Sequence, residues 1–273
     1  MATAKPKALS LHIGVDAVDP KHYAGWKGEL KCAEQDAVDM AAIAKGMGFK
    51  AKVLQTKAAT RVSVLKAIEE AGKQLRAGDI FFLTFSGFGG QVMDVSGDEL
   101  DLMDETWCLH DAQLIDDEIH SELGRFVRGV RILAIVDSTP SGSVMRDVTP
   151  APDPPPAGSR SRLMPITVRD KVYAANTKFY DMLQKQVRAD ATTENGPSVI
   201  VWVGSQENQA ALEGKSNGAM TGLILRLWNQ GSFQGGYMRF FSHLVARMPS
   251  SQTPKLRTFG DVADFEMQKV FTP

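Results

Sequence analysis

Residues 79–86 read Asp-Ile-Phe-Phe-Leu-Thr-Phe-Ser, an apolar run without the polar alternation of a half-exposed strand. A strand that shows one face to water carries polar side chains at every second position, so this one is read as buried on both faces. Burial on both sides demands helices above and below, and a parallel sheet joined by helical crossovers supplies them. The neighbouring sequence has the parts. Strand-like runs occupy 8–15, 49–56 and 130–138. Between them, 29–48 spaces Leu30, Ala33, Ala37, Met40, Ala41 and Ala44 at intervals of three and four, with Gly46 and Gly48 as stops. Residues 60–79 place Val64, Leu65, Ile68 and Leu75 on one face behind Thr60 as N-cap, and a short helix is expected at 116–127. The expected fold is α/β, a mostly parallel central sheet flanked by helices on both faces.

The pattern breaks at 148–165, a stretch rich in Pro, Ser and Arg without apolar periodicity, read as an exposed linker. Beyond it come helices near 173–188, 218–229 and 237–248 and a strand at 198–205. Residues 1–147 and 166–273 are therefore expected to be two regions of one domain, joined by that linker.

Composition narrows the function. The chain has 273 residues, 43% hydrophobic and 23% charged, with a formal net charge of -1. Its basic residues form no patch interleaved with aromatics, which argues against nucleic acid or an anionic membrane as partner. No apolar run approaches the roughly 18 residues of a membrane span, and the first residues lack the pattern of a secretory leader. Two cysteines, Cys32 and Cys108, have neither disulfide-framework nor zinc-site spacing, so a cytoplasmic protein with reduced thiols is expected.

Two turns carry the functional reading. Strand 79–86 runs into Gly87-Phe88-Gly89-Gly90, and strand 130–138 runs into Thr139-Pro140-Ser141-Gly142. With "LKCAEQDA" (30–37), "DELDLMDETW" (98–107), "IDDEIHSEL" (115–123), "VWVGSQENQAAL" (201–212) and "SQTPKL" (251–256) in order, the chain resembles the caspase-homologue (peptidase C14-like) family. The resemblance is to its metacaspase and prokaryotic orthocaspase branch. Phe88 and Thr139 stand 51 positions apart, matching a histidine about 50 residues before the cysteine of that family.

The resemblance also exposes the departures. The histidine position is Phe88, the cysteine position is Thr139, and the residue after it, a histidine in the family motif, is Pro140. A cysteine peptidase needs a thiolate and a base that passes a proton to the leaving amine. Phenylalanine can do neither, and a lone threonine hydroxyl has no base beside it in the motif. The expectation is a pseudo-peptidase that binds a basic peptide or a protein partner, an active caspase-like protease among the candidates, and that is processed by or regulates such a homologue. Two alternatives stay open. One is an active Arg/Lys-specific endopeptidase with a relocated nucleophile: Ser138, Thr139 or Ser141 with His110 or His120 as base, or Cys32. His120 is expected on a helix away from the turn. The other is a purely structural module.

The resemblance further implies a pocket for a basic residue at Asp36 and Asp137, with Ser86 beside them and Cys32 on the border. The plainer reading is that Asp36 solvates a helix and Asp137 caps a turn. Family calcium ligands map onto Asp104, Asp116 and Asp117, with Arg146 at a fourth place beside Asp147. An arginine there repels the cation, and Asp116 and Asp117 also suit a helix N-terminus. Calcium is the one candidate cofactor. Arg160 and Arg162 in the linker are candidate sites for cleavage by an Arg-specific homologue, and the resemblance implies a monomer.

Overall fold

The computed structural model describes residues 5–95, 97, 102–139, 159–187, 196–206 and 209–273. A six-stranded sheet forms its centre. The strands are β1 (Ala8–Gly14), β2 (Lys50–Gln55), β3 (Ile80–Ser86), β7 (Arg131–Asp137), β8 (Ser198–Val203) and β9 (Lys255–Phe259), in the order β2-β1-β3-β7-β8-β9. All neighbours pair parallel except β9, which closes the edge antiparallel to β8. A second sheet of β4 (Gly89–Met93), β5 (Met103–Cys108) and β6 (Gln113–Ile115) is antiparallel throughout.

The unalternating strand is buried along its whole length, because both of its faces are core. Phe81, Leu83 and Phe85 join one apolar cluster, with residues of α2 (Arg61–Gln74), α3 (Asp116–Gly124) and α4 (Ile166–Gln186). Ile80 and Phe82 join the other, with residues of α1 (Ala33–Gly46), α5 (Ala219–Trp228), α6 (Tyr237–Val245) and α7 (Ala263–Met267). The two-residue period of the strand therefore feeds two helix layers. Each buried Phe or Leu contributes about 1.5–3 kcal/mol relative to exposure. One ion pair is sealed between helices: Arg61 of α2 makes a two-pronged contact with Glu118 of α3, 2.5 and 2.8 Å.

Registration of the parallel strands sets up the site. Gly14, Ser86 and Asp137 are register partners at the C-terminal ends of β1, β3 and β7. The order in which successive strands are added reverses at β1, since β2 lies on one side of it and β3 on the other. Open α/β sheets form their crevices at such a point. Among the described residues, no helix is long and apolar enough to cross a membrane.

Candidate functional site

At the C-terminal edge of the sheet, four elements converge. Asp36 comes from the buried face of α1, Ser86 ends β3, Asp137 ends β7, and Gly218 and Thr221 lie at the N-terminus of α5. Both carboxylates use the unpaired N–H groups of that helix start. Asp36 accepts from Gly218 N at 2.9 Å, and Asp137 Oδ2 accepts from Thr221 N at 2.9 Å and Thr221 Oγ1 at 2.8 Å. Helix N-termini favour anions for this reason. Neither aspartate is a solvated surface group: each is 1% exposed.

Two carboxylates sealed from water require a cation, and the chain supplies its own. Arg162 is 0% exposed. Its Nη2 donates to Asp36 Oδ2 at 2.8 Å and to Cys32 Sγ at 3.4 Å. Its Nη1 donates to Ser86 Oγ and to the Asp137 carbonyl, both at 2.8 Å, and lies 3.4 Å from Asp137 Oδ2. Ser86 Oγ in turn donates to Asp36 Oδ2 at 2.6 Å. The four pocket residues expected from sequence are thus brought together around one guanidinium.

That guanidinium corrects a sequence expectation. The stretch 148–165 is read from composition as exposed, and its residues 148–158 lie outside the described residues. The described remainder is docked: Arg162 and Met164 are buried, while Arg160 is exposed. Local composition could not reveal this, because the arginine is held by partners up to 130 positions away. As candidate cleavage points the two arginines now differ, since only the Arg160 side chain faces solvent.

The backbone of the segment is held like a strand. Arg162 N donates to Ala211 O at 2.8 Å and Glu213 N donates to Arg160 O at 2.9 Å, around an antiparallel bridge between Ser161 and Leu212. The Arg162 carbonyl points at two amides: Gly89 N at 2.9 Å and, more loosely, Thr139 N at 3.4 Å. Paired backbone N–H groups on one carbonyl oxygen are the arrangement that stabilises an oxyanion in acyl transfer. Gly89 has to be glycine here, since a Cβ on it would lie 1.9 Å from the Thr139 carbonyl oxygen.

The groups that would exploit this arrangement are apolar or occupied. Phe88 is buried, edge-on to Trp26 with ring centroids 4.8 Å apart. Thr139 Oγ1 accepts from Ala211 N at 3.0 Å. Burial pushes the Cys32 thiol up to about 12, against the pull of Arg162, and its Sγ donates to Glu213 Oε1 at 3.3 Å. Among the described residues, no histidine ring is hydrogen-bonded to Ser138, Thr139 or Cys32: His12 meets Thr84, His22 meets Tyr180, His110 meets the Ala17 carbonyl, and His243 meets Arg247. His120 is on α3, as expected. It lines an apolar cavity of about 170 Å³ together with Ser138 and Thr139, and its Nε2 is buried without a hydrogen bond. Pro140, Ser141, Arg146 and Asp147 lie outside the described residues.

Electrostatics match the geometry. Burial raises Asp36 to about 6; Arg162 opposes that rise and the facing Asp137 adds to it. Burial alone would lower the pKa of Arg162, but Asp137 and Asp36 carry it above that of an ordinary arginine. The expected calcium ligands are not gathered in this way. Asp104 is on β5 and Asp116 and Asp117 open α3. Among the described residues, no three His, Cys, Asp or Glu side chains are grouped to hold a metal ion.

The chain is similar to known proteins. A family model described as the caspase domain, Peptidase C14, matches residues 17–262. Metacaspase-1 of Ajellomyces capsulatus is 28% identical over 255 residues, covering 80% of this chain and 69% of that protein. Metacaspase-1A of Aspergillus fumigatus is 27% identical over 254 residues, covering 81% of this chain and 60% of that protein. The chain thus spans between 60 and 69% of the length of these two relatives. Among solved structures, protein GSU0716 from Geobacter sulfurreducens is 46% identical with a TM-score of 0.89, over 98% of this chain and 99% of that one. Caspase-1 from Spodoptera frugiperda, 10% identical with a TM-score of 0.55 over 94% of this chain and 90% of that one, shares the fold.

Proposed function

The chain belongs to the caspase-domain family, and on that premise we propose that it is a catalytically silent member, a pseudo-peptidase that acts by binding. One observation carries the reading: Arg162 occupies the acidic pocket and presents its carbonyl to the Gly89 and Thr139 amides, and among the described residues no histidine ring is hydrogen-bonded to Thr139 or Cys32. An intact peptide bond held in that position is what a binding site without chemistry would look like. Covalent acyl transfer needs a nucleophile activated by a neighbouring base. Phe88 supplies no proton acceptor, and a thiol pushed up to about 12 is not a nucleophile near neutral pH. The proposed partner is a basic peptide or a protein that presents one. The proposal extends to a monomer in a reducing, cytoplasmic setting, in keeping with two buried, unpaired cysteines.

A second reading rests on the cavity shared by His120, Ser138 and Thr139. There His120 would act as base for a neighbouring hydroxyl. Turnover of Arg- and Lys-terminated fluorogenic peptides, with and without calcium, separates the two. The proposal expects none from the native chain. Turnover that disappears in His120→Ala would establish the relocated nucleophile instead.

A further inference from the structure

We infer that the docked segment displays the recognition pattern of the partner: an extended, internal peptide stretch in which an arginine is followed two positions later by a large apolar residue. This deepens the pseudo-peptidase reading and rests on it. Four short main-chain hydrogen bonds hold the segment, besides the looser one from Thr139 N to Arg162 O at 3.4 Å. Two run to residues 211 and 213 on the N-terminal side of Arg162. On the other side, Gly89 N donates to Arg162 O at 2.9 Å and Met164 N donates to Gly89 O at 2.8 Å, around a parallel bridge between Gly89 and Leu163. A peptide entering this groove adds as a strand, and such bonds give affinity without reading side chains. They exclude proline at the arginine and Met164 positions, where an N–H is donated.

Selectivity comes from the side chains, which follow the two-residue period of a strand. Arg162 is 0% and Met164 2% exposed, whereas Ser161 and Leu163 are half-buried and Arg160 is open to solvent. Arg162 is read by charge. Met164 belongs to the apolar cluster that contains Phe88 and Trp107. The polypeptide continues from Met164 through Pro165 into α4, so the stretch that the groove holds is the interior of a chain rather than a free end.

Tethering decides who occupies the groove. A segment attached to its own site acts at an effective concentration on the order of millimolar. A partner with the same contacts loses that competition until the segment is loosened. The groove is therefore closed by default and opens to a partner when an anchor is withdrawn.

The test uses the fluorescein-labelled peptide Ser-Arg-Ser-Arg-Leu-Met-Pro, the sequence of residues 159–165, and fluorescence anisotropy. It is run against full-length Arg162→Ala and, in case that chain does not fold, against full-length Met164→Asp. The expected result is binding to the loosened chain at least tenfold tighter than to the native one. Replacing the second Arg by Ala, or Met by Asp, in the peptide should weaken binding at least tenfold, and replacing Leu by Ala less than twofold. Indifference to the Met position, or no binding to either loosened chain, overturns the inference. Hydrolysis of the peptide between Arg and Leu would instead overturn the pseudo-peptidase reading, and mass spectrometry of the incubated peptide tells the two failures apart.

Discussion

The guanidinium of Arg162 and the carboxylate of Asp36, 126 positions apart in the chain, meet at 2.8 Å with both side chains sealed from solvent. With Asp137 on the other side, the contact binds the segment at 160–164 to the C-terminal ends of the parallel strands. It joins a question of stability to one of function, because the same pocket that stabilises the fold would recognise a ligand.

Arg162→Ala leaves two buried carboxylates facing each other. Removing one partner of a buried pair costs about 3–5 kcal/mol, read as a lower urea midpoint. Its pH dependence has a definite sign. Asp36 is raised, to about 6, so its contribution to stability is complete below the ordinary aspartate value and is lost as pH rises through about 6. Without Arg162 the downward pull is gone, its pKa climbs further, and the loss extends to higher pH. The deficit of the variant should therefore widen from pH 6 upward. A deficit that is flat or shrinks over that range would contradict the assignment.

Gly218 marks where the guanidinium fits. A Cβ there would lie 2.2 Å from Asp137 Oδ2 and 2.4 Å from Arg162 Nη1. Gly218→Ala should expel the arginine and release the segment. Trypsin should then cut after Arg162 in the variant at least tenfold faster than in the native chain, where the side chain is buried. Equal rates would mean that the segment is not held by its arginine.

Much of this architecture is legible in the sequence, and the exceptions have physical causes. The unalternating run at 79–86 announces a strand buried on both faces, and the three-and-four spacing in 29–48 and 60–79 announces α1 and α2. The small sheet is harder to see. β5 carries Asp104 and Glu105 within a densely acidic stretch, so charge masks its alternation. β9, Lys-Leu-Arg-Thr-Phe, is an exposed-edge strand with charges at alternate positions, a pattern that could have marked it. Asp36, Asp137, Ser86 and Cys32 come from the family resemblance rather than from local pattern, and in the structure all four contact the Arg162 guanidinium. Arg162 is the instructive miss. Proline-rich surroundings argue for exposure, and only the need of two retained buried carboxylates for a cation could have pointed to a nearby arginine.

Phe88 has become part of the core. Its ring packs edge-on to Trp26, and Phe→Ala at a buried site costs about 3–5 kcal/mol. Phe88→Ala should lower the urea midpoint accordingly, measured alongside an unchanged far-ultraviolet spectrum. A loss below 1 kcal/mol would mean that the aromatic packing there is dispensable.

The central claim is that the scaffold still holds a peptide in register for cleavage and lacks only the reacting groups. The direct measurement is mass spectrometry of the native chain and of Phe88→His/Thr139→Cys/Pro140→His after incubation, each also assayed on Arg-terminated fluorogenic peptides. The account predicts an intact, silent native chain, and a revertant that cuts itself between Arg162 and Leu163 and turns over the peptides. Turnover by the native chain, or a folded revertant that cuts neither itself nor the peptides, would contradict it.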